Sequence, residues 1–244
     1  MTPYATAADR ARALYRIPTA PRRNRTLEIC HGRDPLLWHG PWPGEGHVAC
    51  MIGAATPRAA GNGIGSVSTA LGAALPVAPH SFDLVILHRT LDDLSELSSA
   101  APKRFDAQDF LLQVAGALAP GGLVAGCVQN RASLPGIVRT AQRALGIGAA
   151  KAAEFHFSPR GLRRMLASAA LAEIRIFSLL PHCDAPLKLI DSDATVSRLA
   201  FRRELDARRR HLGRAAFALR RLAVELGGYR HLEPSLFFWA YKTC

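Results

Sequence analysis

The chain has 244 residues, of which 49% are hydrophobic, and its 31 Lys and Arg against 19 Asp and Glu give a formal charge of +12. This apolar content excludes a disordered or low-complexity protein, and a chain of this length can bury a core without disulfides. The excess charge lies in residues 1–26, with six Arg and one Asp, and in residues 197–230, with ten Arg and three acidic residues. The remainder is neutral, so we expect no nucleic-acid partner.

Cysteine usage and hydropathy exclude further classes. The five cysteines are scattered without a Cys-x-x-Cys pair, which argues against a disulfide framework and against a structural zinc site. His182-Cys183-Asp184 are three metal-capable residues in a row, but adjacent side chains rarely converge on one ion, so we predict no metal. No secretory signal and no apolar stretch long enough to span a membrane is found, and we expect a cytoplasmic protein.

Short apolar runs alternate with helical patterns along the chain, which is typical of strands joined by crossover helices. Strands are predicted over residues 26–30, 47–52, 64–67, 83–87, 123–128, 173–180 and 236–241. Helices are predicted over residues 108–118, 133–145, 160–170 and 197–226. The pattern predicts a single α/β domain with a doubly wound, mostly parallel sheet of about seven strands.

Local signals support several of these boundaries. Pro120-Gly121-Gly122 ends one helix and turns the chain into the next strand. Ser158-Pro159 supplies an N-cap followed by proline at the first helical position. Asp92-Asp93 follow a buried strand, and we predict that they form the solvated start of a helix.

Four stretches, Ser81–His88, Leu118–Leu123, Phe157–Leu162 and Phe237–Lys242, resemble segments of the class I S-adenosylmethionine-dependent methyltransferases. In that family the fourth strand opens with Phe-Asp, as in Ser81–His88, and a Pro-Gly-Gly turn leads into the fifth strand, as in Leu118–Leu123. Phe157–Leu162 resembles the helix before the sixth strand, and Phe237–Lys242 resembles the last, antiparallel strand. The resemblance implies a Rossmann-like sheet over residues 26–244, after a basic segment at residues 1–25, with S-adenosylmethionine as cofactor.

The resemblance also assigns cofactor-binding positions. It places Glu28, Cys30 and Gly32 in the loop after the first strand, Leu71 near the adenine amino group, and His88 at the end of the fourth strand. The family pattern in that loop is an acidic residue followed by three alternating glycines, because the backbone must approach the cofactor closely. Only Glu28 and Gly32 match this pattern.

Two features of the family are replaced in this sequence. Cys30 and Asp34 stand at two glycine positions of the loop. The carboxylate that accepts both ribose hydroxyls at the end of the second strand corresponds to Met51 or Ile52, and neither side chain can accept a hydrogen bond. Each unsatisfied buried hydroxyl costs about 1–3 kcal/mol, so the sequence leaves open whether S-adenosylmethionine binds.

His88 and His156 are the candidate catalytic residues. An imidazole at the carboxyl edge of the sheet can act as a general base, which the resemblance suggests for His88. His156 lies directly before the Ser158 cap and can face an acceptor substrate. For both residues a structural, hydrogen-bonded histidine is the alternative.

The second basic segment is predicted as one Arg-striped helix over residues 197–228, inserted before the last strand. Leucines recur every seven residues along one face, at Leu205, Leu212, Leu219 and Leu226. Arginines occupy the opposite face, at Arg203, Arg210, Arg214 and Arg221. This stripe is either a solvated outer face or a docking surface for an acidic protein, with a phosphate backbone or a membrane surface as a third possibility.

Two functions therefore stay open. The first is methyl transfer from S-adenosylmethionine to a small organic acceptor, as the resemblance implies. The second is a catalytically inactive homologue that binds or stabilises another protein, in a homo- or hetero-oligomer. The two differ in whether the cofactor binds, which the altered glycine loop and the missing carboxylate leave undecided.

Overall fold

Eight strands and six helices alternate along the described part of the chain. The computed structural model describes residues 6–16, 25–31, 35–36, 46–53, 65–98, 105–133, 157–180, 182–191, 197–207, 209, 213–227 and 233–243. The strands are β1 (Arg25–His31), β2 (Gly46–Ile52), β3 (Gly65–Thr69), β4 (Phe82–His88), β5 (Leu118–Gln129), β6 (Leu171–Leu180), β7 (Lys188–Asp191) and β8 (Ser235–Lys242). The helices are α1 (Ala7–Arg16), α2 (Thr90–Ser98), α3 (Ala107–Ala117), α4 (Pro159–Ser168), α5 (Ser197–Ala207) and α6 (Arg214–Glu225).

The strands form one sheet in the order β3-β2-β1-β4-β5-β8-β6-β7. Strands β1 to β5 pair in parallel, while β8 runs antiparallel to both β5 and β6. The chain order reverses between β1 and β4, and an open α/β sheet binds ligands at the carboxyl edge beside such a switch point. The predicted fold class is confirmed. Strand β7, which pairs with β6, is additional, and its four residues are too short to give a sequence pattern.

Both faces of the sheet are covered, as its uninterrupted apolar strands require. Helices α2, α3 and α4 cover one face, with Leu111 and Leu162 fully buried. Helix α1 packs on the other face through Leu14 and Tyr15, against strand residues that include Phe237. The charge of residues 1–25 predicts a basic segment ahead of the domain. That prediction did not consider the apolar residues of α1, which pack on the sheet.

The N-termini of α4 and α3 are capped by side-chain hydrogen bonds. The Ser158 side chain accepts a hydrogen bond from the backbone N–H of Gly161 at 3.1 Å, and Pro159 begins α4. Asp106 caps α3 in the same way by accepting from the N–H of Gln108 at 2.8 Å. The helix predicted over residues 133–145 lies outside the described residues, apart from its first.

The single helix predicted over residues 197–226 is two helices, so that prediction was wrong. Gly213 precedes α6 with an extended backbone, φ −61° and ψ 151°, which cannot continue a helix. The two helices fold back on each other, as shown by the ion pairs of Arg198 and Arg202 of α5 with Glu225 at the end of α6. Glycine favours such a break since it is a poor helix former.

The predicted leucine seam is also wrong in part. Leu205 is buried, but Leu219 and Leu226 are 58% and 77% exposed. The α5–α6 hairpin instead buries Phe201, Leu205 and Val224. These side chains pack with Leu180 at the end of β6 and with Ile190 of β7. A break in the helix changes the direction of every side chain after it, so a seven-residue repeat across Gly213 has no structural meaning.

We expect the centre of the sheet to tolerate no side chain at Gly126. A Cβ atom added there would lie 2.7 Å from the Phe238 ring and 2.8 Å from the Leu87 carbonyl oxygen. Gly126→Ala should therefore lower the free energy of unfolding by about 1–3 kcal/mol in urea denaturation. Gly116→Ala is the matched control, because nothing lies within 4 Å of its added Cβ and alanine favours the helix. Equal losses in the two variants would contradict this packing.

Candidate functional site

The carboxyl edge of the sheet brings together side chains from distant parts of the sequence. His88 ends β4 and is the register partner of Cys127 on β5. Helix α1 crosses this edge and places Tyr15 against the His88 ring, with ring centroids 5.9 Å apart in an edge-on contact. His88 is therefore the meeting point of α1, β4 and β5.

His88 is held by two buried side chains. Its Nδ1 lies 2.9 Å from the Tyr15 hydroxyl and 3.2 Å from the Cys127 sulfur. The Tyr15 hydroxyl is itself 3.7 Å from that sulfur, so the three polar groups form a closed triangle. Tyr15 and Cys127 are fully buried, which excludes solvent from these contacts.

The other ring nitrogen of His88 faces an exposed carboxylate. His88 Nε2 lies 3.8 Å from Asp184, which also accepts a hydrogen bond from Arg89 at 3.0 Å. Arg89 has a left-handed backbone, φ +59°, which is uncommon for a residue other than glycine. Sequence analysis selected His88 but missed Tyr15, Cys127 and Asp184, because no local pattern shows that they meet.

The protonation of the cluster follows from these contacts. Burial would lower the pKa of His88, but Cys127 and Asp184 outweigh it and raise that pKa to about 10. Burial likewise would raise the pKa of Cys127, but a hydrogen bond from Cys183 and the charge of His88 lower it well below 9.0. The two groups thus favour each other's charged form, an imidazolium beside a thiolate, and His88 acts there as a hydrogen-bond donor.

Asp92 was predicted as part of a solvated helix start, and this was wrong. It stands in the first turn of α2, but it is fully buried and accepts a hydrogen bond from the Gln129 N–H at 2.8 Å. Burial raises the pKa of Asp92 well above its ordinary value, which favours the neutral carboxyl. Its role is to join α2 to the end of β5.

A cavity of about 180 Å³ opens at the same edge, between β2, β3 and α3. Ile52, Leu71 and Phe105 give it apolar walls, and Asp106 and Asp109 at the start of α3 contribute carboxylates. An apolar slot with a few polar groups is the usual form of a small-molecule site. The structure thus places the predicted residue Leu71 in a cavity.

Glu28 lies in the interior instead of at the rim of this edge. Glu28 is 1% exposed, and its carboxylate accepts a hydrogen bond from the Leu36 N–H at 2.5 Å. His47 Nε2 lies 3.6 Å from the other carboxylate oxygen. These contacts anchor the segment that follows β1.

The structure describes three of the six remaining predicted site residues. Gly32, His156 and Arg210 lie outside the described residues. The other three stripe residues are exposed, with Arg203 on α5 and both Arg214 and Arg221 on α6. The stripe is consequently shared by two helices.

Among the residues that the structure describes, no group of three His, Cys, Asp or Glu side chains is placed to hold a metal ion. No helix in the same part of the chain is both long and apolar enough to cross a membrane.

Comparison with known proteins rests on structure. A scan against protein-family models finds no match, and a comparison with curated protein sequences finds none. Solved structures do match. A methyltransferase of Thermotoga maritima that depends on S-adenosylmethionine has a TM-score of 0.52 at 13% identity, covering 98% of this chain and 90% of its own. One from Mesorhizobium loti has a TM-score of 0.51 at 15% identity, covering 98% and 99%.

A third match carries a ligand. Phosphoethanolamine N-methyltransferase 2 of Haemonchus contortus, in complex with S-adenosylhomocysteine, has a TM-score of 0.51 at 12% identity, and the alignment covers 97% of this chain and 53% of that enzyme. The agreement extends over nearly the whole chain. This protein has the class I methyltransferase fold.

The class I fold implies S-adenosylmethionine, and the described residues fit that cofactor at one end only. The cavity beside Leu71 has the apolar walls and carboxylates that suit an adenine base. At the end of β2, Met51 and Ile52 are nearly buried and offer no acceptor for ribose hydroxyls. The Cys30 sulfur lies 3.1 Å from the Met51 sulfur, so apolar atoms meet where the family binds ribose.

His31 also occupies this position. Its Nδ1 is 2.5 Å from the Ile52 carbonyl oxygen, and its ring lies so close to Gly53 that an added Cβ would be 2.9 Å away. Gly53 has φ +99°, so the chain turns around the imidazole. A histidine and a thioether thus stand at the position that corresponds to the family's ribose-binding carboxylate.

The His88–Cys127 pair should give a distinctive dependence of stability on pH. The raised pKa of His88 stabilises the fold fully below its ordinary value of 6.5, and this contribution is lost as pH rises towards about 10. The lowered pKa of Cys127 acts in the opposite direction, being fully stabilising above 9.0 and lost as pH falls. The two slopes are therefore opposed below 9.0, and above 9.0 only the loss of the His88 contribution remains, so the stability that the pair supplies declines there.

Urea unfolding measured from about pH 6 to about pH 10 tests this dependence of stability on pH. The difference in unfolding free energy between the wild type and His88→Gln should change little through neutral pH and become smaller between 9.0 and about 10. His182→Gln, an exposed histidine near the cluster, is the matched control and should track the wild type. A difference that changes steadily through neutral pH would rule out the ion pair.

Proposed function

We propose that this chain transfers a methyl group from S-adenosylmethionine to a small organic acceptor. The observation that carries the proposal is the cavity beside Leu71, which lies at the carboxyl edge where open α/β sheets bind nucleotides. Its apolar walls suit the two faces of a base, and the carboxylates of Asp106 and Asp109 suit an exocyclic amine. The class I fold supports the same assignment.

His88 is the residue of this edge that we assign to the acceptor. Its raised pKa keeps it protonated at neutral pH, so we expect it to hold an acceptor oxygen by donating a hydrogen bond. This differs from the general base that the sequence suggested, because the neighbouring Cys127 and Asp184 favour the charged imidazole. His156 remains a prediction for the acceptor side.

Filling the cavity should abolish cofactor binding. Leu71→Trp places an indole where we expect the adenine, and isothermal titration with S-adenosylmethionine and S-adenosylhomocysteine should then show at least a tenfold loss of affinity. Leu112→Trp is the matched control, because Leu112 is 47% exposed on α3 and does not line the cavity. No heat from the wild type at millimolar ligand would refute cofactor binding.

Restoring a carboxylate at the end of β2 should have the opposite effect. Met51→Asp supplies an acceptor for the ribose hydroxyls, which are worth about 1–3 kcal/mol each when satisfied. We expect binding of S-adenosylhomocysteine to tighten by about tenfold or more in the same titration. Met51→Asn supplies a hydrogen-bond acceptor without a negative charge, so it separates the effect of the hydrogen bond from that of the charge. Weaker binding by both variants would show that this position does not face the ribose.

A second candidate is a catalytically inactive homologue that stabilises or binds another protein. The contact of His31 with Gly53 favours it, because the imidazole fills the turn directly after β2, next to the position that corresponds to the ribose-binding carboxylate. On this alternative neither the wild type nor Met51→Asp binds the cofactor, and no methyl group is transferred to any acceptor. Either result from the titrations above distinguishes the two candidates.

A further inference from the structure

Helix α6 exposes apolar side chains on the side that faces away from the protein. Leu219, Leu222 and Leu226 are 58%, 54% and 77% exposed. At 3.6 residues per turn they fall within about 60° of one another, and buried Val224 lies roughly 180° from their centre. A solvated surface helix has the reverse arrangement, with polar residues outermost.

Helix α5 repeats this arrangement. Leu199 is 59% exposed, whereas Phe201 and Leu205 on the opposite side of the helix are buried in the shared core. The two helices pack side by side on Leu180 and Ile190. The α5–α6 hairpin thus presents an outward ridge of four leucines, which we call the leucine ridge: Leu199, Leu219, Leu222 and Leu226.

Arginines flank the leucine ridge. Arg214 and Arg221 are exposed and lie about 110–130° to one side of the centre of the leucine row of α6, and half-buried Arg220 lies about 130° to its other side. Long arginine side chains can bury their stems and extend the guanidinium past neighbouring apolar groups. We therefore expect the guanidinium groups to extend towards the leucines from both sides.

The shape and charge of the ridge select its partner. A second copy of this chain would bring the arginine flanks of both hairpins together, and like charges repel. A lipid surface accepts a convex ridge without a matching groove, takes up leucines at the acyl boundary and offers phosphates to the arginines. We propose that the α5–α6 hairpin docks the protein on an anionic membrane surface.

Both components are required for this docking. A short apolar contact alone gives weak and reversible membrane binding, and a basic surface adds the second signal that makes it stable. The proposal predicts binding that increases with anionic lipid and weakens with salt, since screening acts on the arginine part. This surface lies on the hairpin and is separate from the cavity beside Leu71.

Sedimentation of the full chain with phospholipid vesicles tests the proposal. We expect strong binding to equal parts of phosphatidylcholine and phosphatidylglycerol, and little to phosphatidylcholine alone. The triple variant Leu219→Ser, Leu222→Ser and Leu226→Ser should lower the partition coefficient by about a hundredfold or more. Arg214→Gln with Arg221→Gln should lower it by about thirtyfold, from two arginine contributions near an anionic surface.

Leu112→Ser is the matched control, because Leu112 is a similarly exposed leucine on α3, outside the hairpin. It should bind vesicles as the wild type does. All replaced residues are exposed, and unchanged thermal unfolding midpoints confirm that each variant is folded.

Four results would overturn the proposal. The first is equal sedimentation with and without anionic lipid, which removes the arginine contribution. The second is full binding by the leucine variant, which removes the ridge. The third is a dimer in light scattering that the leucine variant dissociates while the wild type ignores vesicles, which assigns the ridge to a second copy. Capture by an acidic polypeptide without vesicle binding counts against it in the same way.

Discussion

The contact of His88 with Tyr15 and Cys127 fixes the geometry of the carboxyl edge. It joins a helix from the start of the chain to two central strands, and it does so with polar groups that water does not reach. Buried polar groups are stable only when they satisfy each other, so none of the three can move independently. The positions of α1, of the β4 end and of Asp184 all follow from this constraint.

The carboxyl edge is divided into two halves of different character. The half beside Leu71 is open and apolar with carboxylates at its rim, as a base-binding site requires. The half at the ends of β1 and β2 is filled by His31 and by the contact of Cys30 with Met51. A sheet with the class I methyltransferase fold thus has an open cavity at one half of its carboxyl edge and a filled surface at the other.

The sequence predicted what local patterns determine. The strand β4 and the helix α4 were located correctly, because an apolar run and a Ser-Pro cap each act within a few residues, whereas β5 begins at Leu118 and so includes the Pro-Gly-Gly stretch that was predicted to precede it. The break at Gly213 was missed, since a seven-residue repeat does not reveal which of its residues are helical. The His88 cluster was missed because Tyr15 is 73 positions away, and such a contact depends on the whole topology.

Helix α1 precedes every strand of its binding surface in the chain order of the described elements. Tyr15 packs against Phe237 with ring centroids 5.5 Å apart, and β8 lies between β5 and β6 in the sheet. The helix therefore has no complete surface to dock on until β8 has been synthesised. Contacts of such long sequence separation slow folding, and during that interval the apolar face beneath α1 is open to chaperones and to aggregation.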